Sequence, residues 1–370
     1  NQAKAFLHGR LDIVPEHSKN VNLIEKACNA FEADGSCRPG EKLYITHPPM
    51  PAIILLPGVA LFGLDINATL VSVVIAALTV PIVFAVTRKF SDQLSTQAWF
   101  TALFFFGTIY WYTASNGGVW FFSHTVAILF LFAAVYTTLV RKNIYLTGMF
   151  LGAAFLSRQT TAMSLPFFLI MHADTWLPEA EGKTLGQRLQ LEPLVLFAVG
   201  AAPFVLFDFA FNYLRFGNPL ESGYSYSEQV HQPQLAFVYS HGIFDISYVR
   251  RHIPVFFEGM PIVQTGGPYI LPSWAGMAVW ATTPAFLYSL FVGLRDRKVV
   301  AGGAALLAVA AAIIISRAVA GAWDTEWATQ QFAYGVNLWP FYAMIALAVF
   351  MGFKLRDRLV IACWAAIIAV

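Results

Sequence analysis

The stretch IYLTGMFLGAAFLSRQTTAMSLPFFLI, residues 144–170, decides how this chain is read. On either side of Arg158 it is apolar enough for a membrane interior. Each part, 144–157 and 160–172, is short for a crossing, because about 20 apolar residues are needed to cover ~30 Å of hydrocarbon. The two parts read as short helices that meet at Arg158. A guanidinium in such surroundings is costly unless something anionic lies beside it, so Arg158 marks a site as well as a turn.

Outward from this stretch the chain keeps the same character. It is 58% hydrophobic and 12% charged over 370 residues, against roughly 45–50% and about 25% in an ordinary soluble domain. Long apolar runs at 67–86, 119–140, 194–213, 275–294 and 300–320 are full-length spans, and those at 98–114, 338–353 and 359–370 are tilted, broken or truncated ones. The expected fold is all-α: a polytopic integral membrane protein with about ten transmembrane helices present and a first one missing ahead of Asn1, plus juxtamembrane helices and outer loops.

Charge sets the orientation, because short cytoplasmic loops retain Lys and Arg. Arg88-Lys89, Arg141-Lys142, Lys183 with Arg188, Arg295, Arg297 and Lys298, and Lys354, Arg356 and Arg358 fall on one side if the spans alternate. The chain then divides into an outer first loop with juxtamembrane helices (1–66), transmembrane helices (67–213), an outer loop (214–274) and further transmembrane helices (275–370). The expected location is the cytoplasmic membrane, with the functional face outside. In the first loop, Leu23, Ile24, Ala27 and Phe31 recur at helical spacing and suit an amphipathic helix at the headgroup layer. Residues 51–63 are too short to span alone and re-enter the membrane or lie along it. Cys28 and Cys37 flank a turn-like Ala33-Asp34-Gly35-Ser36 and either close a small disulfide loop or stand as free thiols. The net charge of +2 offers no excess suited to nucleic acid.

The cationic candidates for chemistry are Arg158 and Arg317, each a fork for phosphate oxygens or a side chain snorkelling to headgroups. The acidic ones are Asp12 and the pair Asp324 and Glu326, which lie between Trp323 and Trp327 and could serve as a general base or belong to an interfacial aromatic belt. His47, stiffened by Pro48-Pro49, is a further candidate. The chain lacks a Gly-x-Ser-x-Gly elbow, a His-Glu-x-x-His pair, a Cys-x-x-Cys pair and a phosphate-cradling glycine loop, so hydrolase, zinc-protease and nucleotide-driven pump readings have no support.

Several motifs converge on a family. Phe6-Leu7-His8-Gly9-Arg10-Leu11-Asp12-Ile13, Lys42-Leu43-Tyr44-Ile45-Thr46-His47-Pro48-Pro49 and Gly152-Ala153-Ala154-Phe155-Leu156-Ser157-Arg158 resemble segments of bacterial C-type glycosyltransferases related to protein O-mannosyltransferases and aminoarabinose transferases. Asn212-Tyr213-Leu214-Arg215-Phe216-Gly217-Asn218-Pro219-Leu220 with Gly223-Tyr224 is the most specific match, and Gln331-Phe332-Ala333-Tyr334-Gly335 resembles a later element, with Gly335 where Arg is frequent. The resemblance implies an inverting membrane enzyme that takes a sugar from a polyprenyl-phosphate carrier. It implies a catalytic carboxylate in the first outer loop, either ahead of Asn1 or at Asp12, the nearest acid that matches a motif, with Arg158, His47, Arg317, Gln331 and Tyr334 toward the donor phosphate. No metal or other cofactor is required by this inventory, since Arg can stabilise a phosphate leaving group. The expected partners are membrane lipid, a lipid-linked sugar, an acceptor that is a protein, glycan or lipid, and possible partner subunits. A transporter or flippase of a lipid-linked substrate, and a non-catalytic subunit with the same fold, are the rival expectations.

Overall fold

A computed structural model describes residues 1–13, 26–182, 184–231, 233, 255, 262–263, 270–271, 277–278 and 282–283. Expected spans and site residues beyond these, including the runs at 300–320, 338–353 and 359–370 and most of 275–294, lie outside the described residues. The chain divides into two units, one holding residues 1–106 and 110–243 and the other 107–109 and 244–368. In the second, β3 (Ile262–Val263) and β4 (Ile270–Leu271) form an antiparallel pair.

The first unit is helical. It begins with the short α1 (Gln2–Leu7), then β1 (Lys26–Ala27) paired antiparallel with β2 (Tyr44–Ile45), then α2 (Met50–Phe62). Pro49 caps α2 and Pro51 sits in its first turn, where a missing N–H costs nothing. The helical spacing of Ala27 and Phe31 does not produce a helix there. Ala27 is in β1 and bridges Ser227, Phe31 bridges Cys37, and a disulfide joins Cys28 to Cys37. Extended pairing across the closed loop satisfies those backbone groups in place of helical bonds.

Three helices are long and apolar enough to cross a membrane among the described residues: α3 (Ala68–Thr87), α6 (Val119–Tyr136, continued by a π turn to Arg141) and α11 (Leu191–Phe216). Between them lie α4 (Leu94–Gly107) and α5 (Tyr110–Ser115), separated at Thr108-Ile109, and α7 (Ile144–Ser157). A 3-10 turn (Gln159–Ser164) and α8 (Leu165–Met171) return the chain, and the short α9 (Ala173–Trp176) and α10 (Leu185–Arg188) lead into α11. Asn67 and Asn143 cap α3 and α7, each accepting the N–H three residues on, as N-cap side chains do. Gly217, at φ 72°, ends α11 in the left-handed conformation that favours glycine.

Helices α7 and α11 run side by side in the same direction and meet through small residues. A Cβ on Gly148 would lie 2.1 Å from the Phe197 carbonyl oxygen, and one on Gly200 would lie 2.3 Å from that of Tyr145. Gly148 and Gly152 form a Gly-x-x-x-Gly seam, the spacing that lets backbones of apolar helices approach where hydrophobic driving force is absent. Hydroxyls add further cross-links: Ser72 of α3 donates to Thr125 of α6, and Thr147 of α7 meets Thr137, Thr138 and His172.

The ends of these helices are unlike. Arg88-Lys89 after α3, Arg141-Lys142 after α6 and Arg188 before α11 gather at one end. At the other, the N-terminal segment packs over the start of α6 and the ends of α7 and α11.

Candidate functional site

The segment between β2 and α2 carries His47 into this second end. Thr46 and His47 are 0% and 2% exposed, and neither ring nitrogen of His47 has a hydrogen-bond partner. That is unusual, because buried polar atoms are nearly always paired and an orphan costs about 1–3 kcal/mol. Trp120, in the first turn of α6, meets the imidazole edge-on with ring centroids 6.3 Å apart, and Tyr224 does so at 6.4 Å.

Arg158 arrives from the other side. At φ −149° and ψ 110° it is extended and interrupts the helical path between α7 and the 3-10 turn. Its guanidinium acts electrostatically on Tyr224, on His47 and on His124, one turn beyond Trp120. Among the described residues no carboxylate forms an ion pair with it. Burial holds the His47 imidazole down at about 4, and the positive charge of Arg158 and the neighbouring His124 push the same way. His47 is therefore neutral at physiological pH. Burial raises the Tyr224 phenol, with Arg158 pulling against it, so the hydroxyl keeps its proton. The site thus brings together a cation, a neutral imidazole with two open nitrogens and a phenol.

Beside it lies a second polar group, on α11. Asp208, Asn212 and Arg215 are 2%, 2% and 4% exposed. Asp208 Oδ2 accepts from Gln159 Nε2 at 3.2 Å and from Asn212 Nδ2 at 3.1 Å. Arg215 donates from Nη2 to Asn212 Oδ1 at 2.7 Å and from Nη1 to the Ile45 carbonyl at 2.6 Å. Its guanidinium lies 3.8 Å from the centre of the Phe211 ring and 4.7 Å from that of Phe216, the stacking that a weakly hydrated cation prefers.

Of the residues singled out from the sequence, the fold brings His47 and Arg158 together. Asp12 is engaged by Arg10, whose guanidinium hydrogen-bonds both carboxylate oxygens and holds the carboxyl below its ordinary range. Arg317, Gln331, Tyr334, Asp324 and Glu326 lie outside the described residues. The sequence reading did not assign His124, Tyr224, Asp208 or Arg215 to the site. For Asp208 the signal was present, since a carboxylate inside an apolar span is rare and usually functional.

The segment bearing Tyr224 is held by the disulfide loop. Cys28 N–H donates to the Tyr226 carbonyl, Cys37 N–H to Glu228 Oε1, and Phe31 stacks on His231 at 3.7 Å. No group of three or more His, Cys, Asp or Glu among the described residues is placed to hold a metal ion. Along the helices, an open apolar groove of about 720 Å³ lies between α3, α4 and α5, with Ala76, Ala77 and Ala102 among small lining residues and Phe84, Phe106 and Trp111 among large ones. Compared with the models of known protein families, with curated proteins and with solved structures, the chain matches none.

Proposed function

We propose that this chain is an integral-membrane glycosyltransferase that moves a sugar from a polyprenyl-phosphate carrier to an acceptor, at the membrane face where Arg158 lies and outside the cytoplasm. The observation that carries the reading is Arg158 itself: a cation with no carboxylate ion pair among the described residues, close to Tyr224 and to a buried histidine whose ring nitrogens are open. A phosphate oxygen is the kind of group that such a cation and phenol take, because both donate to it, which leaves the open imidazole to accept a proton.

In this reading the acceptor hydroxyl attacks the anomeric carbon from the face opposite the phosphate. The carbon–oxygen bond to the phosphate breaks and its electron pair leaves with the lipid phosphate. Arg158 and the Tyr224 hydroxyl stabilise the growing negative charge. The hydroxyl proton passes to a base. His47, neutral beside Arg158, is the nearest in the described site, while Asp12, kept ionised by Arg10, is the nearest carboxylate that matches a motif of the resembled family. An apolar groove between α3, α4 and α5 is of a kind that takes a hydrocarbon chain.

The test is transfer from a short-chain polyprenyl-phosphate sugar by the purified protein in detergent or nanodiscs. Arg158→Ala should cut turnover by roughly 100- to 1000-fold, the usual cost of one transition-state donor, and leave the folded protein in place. Unchanged turnover in that variant removes Arg158 from the site. Movement of the intact lipid-linked sugar across a vesicle membrane without transfer would favour the flippase reading.

A further inference from the structure

We infer that Asp208, Asn212 and Arg215 are positioning residues, which hold Arg158 and His47 at a fixed separation through one hydrogen-bonded chain from Gln159 to Ile45. The inference rests on the phosphate-site reading for its purpose, and its geometry stands apart from that reading. Each link is on record: Gln159 to Asp208, Asp208 to Asn212, Asn212 to Arg215, and Arg215 to the Ile45 carbonyl. The chain starts one residue after Arg158 and stops two residues before His47, and everything between its ends stands on one face of α11.

The backbone at both ends explains why such a chain is needed. Arg158 sits in an extended joint between two helical segments, its N–H on the Ala154 carbonyl and its own carbonyl accepting from Thr161, which holds the backbone but not the direction of the side chain. On the other side, β2 is two residues long and His47 lies beyond it, ahead of the proline-capped start of α2. Gly148, Gly152 and Gly200 seat α11 directly on α7. A hydrogen-bonded rod on that helix ties both segments to one frame, as supporting side chains do for reacting groups in sites that need preorganisation.

The cost of the arrangement points the same way. An aspartate and an arginine in an apolar helix would be far less expensive as leucines if helix packing were their whole task, since buried ion pairs are seldom worth more than well-packed hydrophobic residues. The two charges are also not joined directly. Asn212 stands between them, which lengthens the unit until it reaches from Gln159 to the strand.

The decisive variant is Asn212→Ala, which touches neither end. Two readouts on the full-length protein in detergent need no enzymatic activity: the rate at which diethyl pyrocarbonate modifies His47, followed by peptide mass spectrometry, and the affinity for farnesyl phosphate. Asn212→Ala should raise the His47 modification rate and weaken farnesyl phosphate binding, each about tenfold, the effect of losing one buried charge-assisted hydrogen bond. Arg215→Lys should affect mainly His47, because a lysine cannot make both of the arginine's bonds in one geometry, and Gln159→Ala mainly farnesyl phosphate binding. A purely structural role would lower the melting temperature and leave both readouts of the folded protein unmoved; that result overturns the inference. If Asn212→Ala does not fold, Gln159→Ala and Arg215→Lys, which break the chain at its two ends, take its place, each judged on its own readout. Should Arg158→Ala bind farnesyl phosphate as tightly as the native protein, the phosphate reading falls, and the His47 arm still decides the relay.

Discussion

Two buried histidines lie near opposite ends of α7, and they are treated in opposite ways. His172 is 3% exposed and its Nε2 meets the Thr147 hydroxyl at 3.2 Å, which in turn lies 3.1 Å from both Thr137 and Thr138 and donates to the Asn143 carbonyl. His47 is as deeply buried and neither of its nitrogens is paired. Around His172 hydroxyls from neighbouring helices answer one another, which is how polar side chains join helices in an apolar medium. Around His47 the nearest groups are a cation, a phenol and another imidazole. The paired histidine ties helices together, and the unpaired one keeps two ring nitrogens open to a further group.

Exchanging the chemistry of the two histidines gives the strongest test of that contrast. His47→Gln should lower transfer at least as far as loss of a general base does, about 100-fold or more, with a modest change in melting temperature. His172→Phe should behave in the reverse way, losing on the order of 1 kcal/mol of stability with transfer retained. Equal loss of transfer in the two variants would erase the distinction between the ends.

The pH dependence of stability sharpens it further. The His47 proton is bound at about pH 6.5 in an unfolded chain and at about 4 in the folded one. Between those values the unfolded state holds more protons, so stability is complete above about 6.5 and declines as pH falls toward 4. From the shift in that one group the loss is bounded at roughly 3 kcal/mol. Thermal unfolding in detergent at pH 7.5 and 5 should therefore show a larger drop in the native protein than in His47→Gln. Arg158 and His124 face His47 and add to the same trend. An identical drop in both proteins would mean that the imidazole is already protonated or solvated in the fold.

The seam that holds the two ends in register comes next. Gly148→Ala places a Cβ where the Phe197 carbonyl stands 2.1 Å away, and Gly200→Ala meets the Tyr145 carbonyl at 2.3 Å. Both obstacles are backbone and cannot turn aside, so α7 and α11 must part. Each substitution should cost about 1–3 kcal/mol, and through the displaced α11 it should also weaken farnesyl phosphate binding. If either alanine variant melts with the native protein, the close approach of the two helices is wrong.

Much of the helical frame was legible in the sequence, and the reasons are particular. Apolar length marked α3 and α7, whose starts Asn67 and Asn143 cap, and α7 occupies the residues read from the pattern, 144–157. The helical spacing misled at Ala27 and Phe31, because apolar residues at that spacing also occur by chance in a segment whose partners are distant; Ala27 finds Tyr44 and Ser227, which no local period can reveal. The residue types of the site were visible one at a time. Their meeting was not, since His47, Trp120, Arg158 and Tyr224 come from four separate segments. Asp208 was passed over for a physical reason too: a length criterion for spans tolerates a single charge, and it is the tolerated charge that carries the information.

The smallest expected effect falls at the satisfied end. Thr147 is the hub there, bonded to the Asn143 carbonyl and within reach of Thr137, Thr138 and His172. Thr147→Val keeps the shape and removes the hydroxyl. Thr137 and Thr138 do not become orphans, because each already donates to a carbonyl within its own helix, at Ala133 and Ala134 and at Ala134 respectively. Only His172 loses its partner. Stability should fall by about 0.6–1.7 kcal/mol, the range of single interhelical hydrogen bonds in apolar surroundings, with farnesyl phosphate affinity and the His47 modification rate unmoved. A change in either readout would show that the two ends of α7 are coupled, and that the hydroxyl cluster sets the position of Arg158 as well as the packing of its own end.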